Sequence, residues 1–443
     1  MANSYLTRTF GTPTNAYKFT ISFWVKRSKL SVSHIASITA GTYNSTNMGQ
    51  FLFNSDDILL CQTYNSGGSV TMAQDTNMKF RDTNAWYHIV LAVDGTLGTA
   101  GDRQKLYVNG ELITSLATDT NASQNTNLAF NQNGIQCMIG NRAGTSYYFD
   151  GYMSHVAFVD GQQLTPTTFG ETDSTSGIWK FKSPSGITWG NNGFHLKFEN
   201  SAALGTDSSG EGNDFTVNGD LKQSLDTPSN VHATFNPLFV KQAPSTTNFG
   251  NTRIDQSSSA WKSSLTTIGA SSGKYYAEFK AGTISGTKYN QIGVVHEDIV
   301  SSGTFQYVGD STSGWGLNWS GSVNHNGGNV SGYTSFATGD IIGVAMDLDN
   351  HKVYWRKNND AWMNSGDPTS GSTGTGAQSL TTGKIYFFAA SVYGNECFAN
   401  FGNGFFGTTA ITSAGSNGNG SLFEYDVPNG YYALNTKNIN TYG

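Results

Sequence analysis

What most restricts the fold of this chain is a set of short runs that repeat every two residues. Phe19-Thr-Ile-Ser-Phe-Trp-Val-Lys sends alternate side chains to opposite faces and is rich in strand-formers, so it predicts a strand. Trp86-Tyr-His-Ile-Val-Leu-Ala-Val-Asp is a second, more continuously apolar strand. Lys105-Leu-Tyr-Val-Asn-Gly-Glu-Leu-Ile-Thr reads as a hairpin, because Asn109-Gly110 suits the two left-handed positions of a type I′ turn. Ile135 to Ile139 and Phe149-Asp-Gly-Tyr-Met-Ser-His-Val-Ala-Phe-Val follow. Short strands with turns between them and no amphipathic helix predict an all-β chain of antiparallel sandwiches.

Composition agrees. The chain has 443 residues, more than one core normally holds, which predicts two or three domains. Charged residues make up only 13%, while 27 Phe, 21 Tyr and 9 Trp supply apolar surface that a disordered chain would lack. The net charge is −6 and no basic run occurs, so a nucleic-acid surface is not expected. Nor is membrane insertion, since no apolar run approaches the ~20 residues a spanning helix needs. The first residues show no charged-then-apolar leader. Cys61, Cys137 and Cys397 are odd in number, far apart and set among apolar neighbours, which predicts buried free thiols in a reducing cytoplasm.

Three blocks of strands and a tail emerge, at 1–161, 162–245, 246–412 and 413–443. In the first, the FTISFWVK strand, the Trp86-Tyr-His-Ile-Val strand, the KLYVNGE hairpin and the closing Phe149 to Gln162 stretch come in an order that resembles the laminin-G-like branch of the concanavalin A-like jelly rolls. The second holds one clear strand, Phe194-His-Leu-Lys-Phe-Glu, and one turn, Asp207-Ser-Ser-Gly-Glu-Gly-Asn-Asp. It reads as a β-rich connector whose strand pair packs on a neighbour. The third, with Lys274-Tyr-Tyr-Ala-Glu-Phe, Gly339-Asp-Ile-Ile-Gly-Val-Ala-Met-Asp-Leu-Asp-Asn and Ile385-Tyr-Phe-Phe-Ala-Ala-Ser-Val-Tyr, resembles the SPRY β-sandwich.

The chemistry of catalysis is hard to find. A retaining glycoside hydrolase needs two carboxylates ~5–5.5 Å apart, hence acids at alternate positions on one strand face. The hydrolases among the jelly rolls show Glu-x-Asp-x-x-Glu, and this chain does not; Glu278, Glu297 and Glu396 are isolated, and Asp347-x-Asp349 runs into a turn. No His-x-His or His-Glu-x-x-His spacing occurs. His88 and His155 lie within strands, where packing is their expected role. No cofactor is required; calcium is the one metal to keep, with Asp207, Asn213 and Asp214 as candidate ligands on a turn that Asx capping explains equally well.

Binding chemistry is better represented. A sugar stacks its C–H face on Trp or Tyr and bonds its hydroxyls to amides. Three loop clusters offer this: Tyr147 and Tyr148 beside Asn141 and Arg142; Trp189 with its Gly-Asn-Asn; and Trp319 with Asn324 and His325. Core packing is the alternative at each, and Trp24, Trp86 and Trp355 are expected in the core. A laminin-G-like block followed by a SPRY block, opening on Ser4-Tyr-Leu-Thr-Arg-Thr, is similar to tail-fibre and surface proteins of marine phages. That resemblance implies a non-enzymatic virion component, made in the host cytoplasm and grouped as a homo-oligomer, a trimer being favoured. It would adhere to a host glycan or receptor, or dock other virion proteins. A purely architectural capsid-decoration or tail-scaffold role and a polysaccharide depolymerase are the alternatives.

Overall fold

The computed structural model describes residues 4–39, 47–142, 147–239, 246–301 and 305–443. They form two units, Met1–Gln223 and Ser224–Gly443. Among the described residues the single α-helix is Thr436–Tyr442, and the remaining regular structure is strand with a few 3-10 turns. The chain is all-β, as the two-residue repeat predicted.

The first unit contains β1 (Tyr5–Thr9), β2 (Lys18–Arg27), β3 (Ser33–Thr39), β4 (Met48–Phe53), β5 (Ile58–Tyr64), β6 (Val70–Lys79), β7 (Tyr87–Asp94), β8 (Gln104–Val108), β9 (Glu111–Leu112), β10 (Leu116–Thr120), β11 (Gln136–Ile139), β12 (Gly151–Asp160), β13 (Gly170–Thr172), β14 (Trp179–Phe181), β15 (Phe194–Leu196) and β16 (Thr216–Asn218). They make an eight-stranded sheet, β10-β6-β5-β4-β3-β11-β1-β16, and a six-stranded sheet, β15-β12-β2-β7-β8-β9. Phe19, Ile21, Phe23 and Val25 of β2 face a shared core with Phe51 of β4, Ile89 and Leu91 of β7 and Phe158 of β12. Asn109 and Gly110 both take positive φ, 49° and 86°, closing the β8–β9 hairpin as expected.

The second face of β2 is covered as well. An alternating strand normally turns its second face to water, yet Thr20, Ser22, Trp24 and Lys26 of β2 are buried too. The cause is the stretch after β12. The β13–β14 hairpin lies over this face of the six-stranded sheet, with Trp179 against His88 and Phe181 against His155. The block 162–245 is therefore not a body of its own. Its residues up to Gln223 belong with the first unit and those from Ser224 with the second. Its two longer-range strands do not pair with each other: β15 joins β12, while β16 joins β1 in the other sheet.

The second unit repeats the plan with β17 (Thr246–Asn248), β18 (Arg253–Asp255), β19 (Trp261–Leu265), β20 (Lys274–Ala281), β21 (Tyr289–His296), β22 (Gly314–Asn318), β23 (Ser322–His325), β24 (Gly328–Val330), β25 (Ile341–Asp347), β26 (Lys352–Lys357), β27 (Gln378–Ser379), β28 (Tyr386–Tyr393) and β29 (Glu396–Asn400). One sheet runs β17-β18-β29-β20-β25-β26-β27 and the facing one β19-β28-β21-β22-β23-β24. Trp355 is fully buried between them and donates its indole N–H to the Ile292 carbonyl at 3.0 Å.

The C-terminal stretch covers the outside of the first of these sheets, where Phe423, Val427 and Tyr431 pack on Tyr276, Ala345 and Tyr354. Glu278 fastens it. This carboxylate is 0% exposed and accepts the backbone N–H groups of Glu424 (2.8 Å) and Tyr425 (2.9 Å), together with Asn400 Nδ2 and the Tyr276 hydroxyl. Burial pushes its pKa up to about 7, against the lowering effect of those hydrogen bonds. Glu278→Gln turns one acceptor into a donor that faces other donors. The expected cost is about 1–2 kcal/mol, with faster amide exchange at Glu424 and Tyr425; unchanged exchange there would show that the carboxylate does not hold the tail.

Candidate functional site

The facing sheet of the second unit has one face in the core and one outside. Along β21, Ile292 and Val294 point inward, so Tyr289 and Gln291 point outward. Register then builds the surface. Tyr289 lies opposite Tyr393 of β28, and Tyr393 opposite Trp261 of β19. On the other side Gln291 lies opposite Asn318 of β22, and Gly316 opposite Asn324 of β23. The loop 305–310 covers the far half of this face, where Val308 N–H donates to Ser391 Oγ at 2.9 Å and Ser263 Oγ to the Gln306 carbonyl at 3.0 Å.

The uncovered half is an aromatic ladder. The Tyr289 ring stacks between Trp319, at 5.2 Å and 9°, and Tyr393, at 5.5 Å and 28°. Trp261 meets Tyr393 at 5.4 Å and Tyr307 at 5.1 Å. All five rings are half-buried. Beside them Gln291 Nε2 donates to Asn324 Oδ1 at 3.1 Å, and Asn324 Nδ2 in turn donates to Asn329 Oδ1. Gln291 is only 2% exposed, and among the described residues its Oε1 has no hydrogen-bond partner. Rings and amides of this kind suit a polyhydroxylated ligand; they provide neither a nucleophile nor an acid–base pair.

The structure distributes the candidates read from sequence over several places. Trp319 and Asn324 meet on the ladder face. His325, the next residue along β23, points the other way, with its ring 3.7 Å over Trp315 and Nδ1 2.8 Å from the Gly314 carbonyl. Trp189 stacks on His195 at 5.6 Å and packs against a small cluster around Val90, Val159 and Phe169. Asn141 is fully buried. The Arg142 guanidinium sits 4.3 Å over Tyr147, which is exposed, and Tyr148 lies 6.0 Å from Tyr5. The segment 143–146 between them lies outside the described residues.

The side chains proposed for calcium hold a turn together. Asp207 Oδ1 accepts the His195 and Ser209 N–H groups, both at 2.8 Å, and Oδ2 accepts Ser209 Oγ and the Asn213 N–H. Asp214 Oδ1 accepts the Asp207 N–H, and Asn213 Oδ1 accepts from Arg8. These residues close a turn onto β15, the Asx alternative weighed above. Among the described residues no cluster of three His, Cys, Asp or Glu side chains is placed to hold a metal. The three thiols are buried and unpaired.

Sequence reasoning missed Tyr289, Tyr393, Trp261, Tyr307 and Gln291. Each looked like ordinary strand composition, and the one available signal was an aromatic residue at the polar end of an otherwise apolar strand.

Residues 2–168 match the family model of the concanavalin A-like lectin/glucanases superfamily, and residues 274–404 match that of the SPRY domain. The chain carries a concanavalin A-like domain followed by a SPRY domain. Solved structures similar to parts of it include the SPRY domain of human HERC1, at 17% identity over 37% of this chain and 96% of that one, TM-score 0.28. A SAP-like pentraxin from Limulus polyphemus is 18% identical over 42% and 82%, TM-score 0.29. The CBM40 of a Ruminococcus gnavus sialidase is 21% identical over 30% and 71%, TM-score 0.24. No curated protein sequence matches the chain. Tyr289, Trp319 and Tyr393 of the ladder thus lie in the SPRY domain, with Trp261 on the strand before its matched residues, and the Tyr147 cluster lies in the concanavalin A-like domain.

Proposed function

We propose that this protein is a non-enzymatic attachment protein that binds a surface glycan through the outer face of its SPRY domain. The observation behind this is the Trp319–Tyr289–Tyr393–Trp261 ladder, set beside the unpartnered Oε1 of Gln291. Half-exposed rings give sugar C–H groups a stacking surface, and the adjacent amides can orient hydroxyls. The concanavalin A-like match of the first domain, to a superfamily named for lectins and glucanases, favours the same ligand class. Placement on a virion or tail fibre follows from the resemblance of the two-domain order and the opening Ser4-Tyr-Leu-Thr-Arg-Thr to marine phage surface proteins. Copies held together there, as in a trimer, would add weak single sites into firm adhesion.

The test is a glycan array with the full chain, followed by calorimetry on the best ligand. Trp319→Ala and Tyr393→Ala should each weaken binding tenfold or more, as loss of a stacking ring does at a hot spot, with circular dichroism unchanged. Tyr147→Ala should leave binding alone. Absence of binding to any glycan, together with capture of other virion proteins, would support the scaffold alternative. Release of reducing ends from host polysaccharide would overturn the non-enzymatic assignment.

A further inference from the structure

The β13–β14 hairpin of the concanavalin A-like domain is held down by two histidines. Trp179 Nε1 donates to His88 Nδ1 at 2.9 Å, and the other ring nitrogen of His88 is 2.9 Å from Ser22 Oγ. His88 must therefore be neutral, with its proton on Nε2, because an indole N–H cannot donate to a protonated Nδ1. The imidazole lies stacked between Trp24, at 4.6 Å, and Trp179, at 5.9 Å. The indole has a slot made for it: a Cβ on Gly110 would lie 2.6 Å from the Trp179 ring, and one on Gly170 2.5 Å.

The second contact is similar. Phe181 stacks on His155 at 3.5 Å, and His155 Nδ1 is 3.3 Å from His195 Nε2, so the two imidazoles share one proton. His155 holds a positive φ of 48° at the irregularity in β12, where the register shifts between Ser154 and Ala157.

We propose that the Gly170–Phe181 hairpin is an acid-released latch, closed while His88 and His155 are neutral and lifted from the sheet when they take up protons. Protonating His88 sets two donors against each other at Trp179, and protonating His155 while His195 is charged sets two cations in contact. The groups around these rings do not offset the charge. His88 meets Ser22, Trp24 and Trp179 and has the Asn109 side chain on its backbone N–H. His155 faces His195 and Lys197, and the one acid in reach, Asp207, acts on His195. The hairpin's own charges, Glu171, Asp173 and Lys180, pair with one another.

Burial lowers His88 and His155 to about 3 in the closed state, Lys197 and His195 adding to the effect at His155. Released into water each would return toward ~6.5. Closure is thus fully favoured above pH 6.5 and is lost as the pH falls from there toward 3. At pH 5 protonation of the released His88 weakens closure by about 30-fold, and His155 adds to it.

The experiment uses the full chain labelled with [15N]tryptophan, with the Trp179 indole signal assigned through Trp179→Phe. Between pH 7 and pH 5, after correction for intrinsic rates, solvent exchange of the Trp179 indole proton should rise at least tenfold. The Trp355 indole, buried in the other domain, should be unchanged. A chain carrying His88→Gln and His155→Phe, which keep an acceptor and a ring without a titratable group, should hold the Trp179 signal constant. Exchange at Trp179 that stays flat, or that rises together with Trp355, would overturn the latch, and so would a double variant that opens in acid as the natural chain does.

Discussion

Asp57→Ala is expected to remove about 3–5 kcal/mol from the concanavalin A-like domain while leaving the SPRY domain's unfolding transition where it is. Arg27 is the reason. Its side chain is 0% exposed, with Nη1 donating to Asp57 Oδ1 at 3.1 Å and to the Phe80 carbonyl at 2.7 Å, Nη2 donating to Ser31 O at 3.2 Å, and the guanidinium 4.6 Å over the Phe53 ring. Arg81 binds the other carboxylate oxygen at 3.0 Å. Burial pulls the Arg27 pKa down and Asp57 pushes it back up, so the carboxylate is what keeps a charged group tolerable there. Asp57 also has a φ of 64°, a left-handed conformation in which Asp and Asn are at ease and Ala is not. Asp57→Asn, which keeps that preference and one acceptor, should cost roughly half as much. Urea unfolding followed by domain-resolved hydrogen exchange measures both, and a loss below about 1 kcal/mol for the alanine variant would refute the account.

His34→Leu should act in the opposite direction. His34 is 0% exposed on β3 opposite Leu52; among the described residues neither ring nitrogen has a hydrogen-bond partner, and the ring lies 5.9 Å from Tyr147. Burying unsatisfied polar atoms costs about 1–3 kcal/mol, which a leucine of similar volume would recover at pH 7. The pH dependence has a definite sign. Burial, reinforced by the charge of Arg142, lowers the His34 pKa to about 3, whereas in the unfolded chain it returns to ~6.5. The stability at stake is therefore complete above pH 6.5 and is lost as the pH falls toward 3, about 2 kcal/mol of it by pH 5. His34→Leu should accordingly exceed the natural chain by 1–3 kcal/mol at pH 7 and by about 2 kcal/mol more at pH 5. Urea midpoints of the first domain at the two pH values decide the matter, and an acid slope unchanged by the substitution would count against it.

Local order was legible from the start. Alternation marked β2 and β20, the Asn109-Gly110 pair closed its hairpin, and Trp24, Trp86 and Trp355 are buried. Those are properties of a pleated strand, whose side chains alternate whatever lies beside it. Three things were not legible, and each depends on which strands become neighbours. The ladder joins Trp261, Tyr289, Trp319 and Tyr393, which are distant in sequence and meet only through the β19-β28-β21-β22 register. The second face of β2 is dry because a hairpin some 150 residues away in sequence folds over it. Beyond its local Asx bonds, Asp207 also accepts the His195 N–H, which only the pairing with β15 brings near. Neighbour choice is made by burial over a whole sheet, which weighs all strands together and leaves no mark on any single stretch of chain.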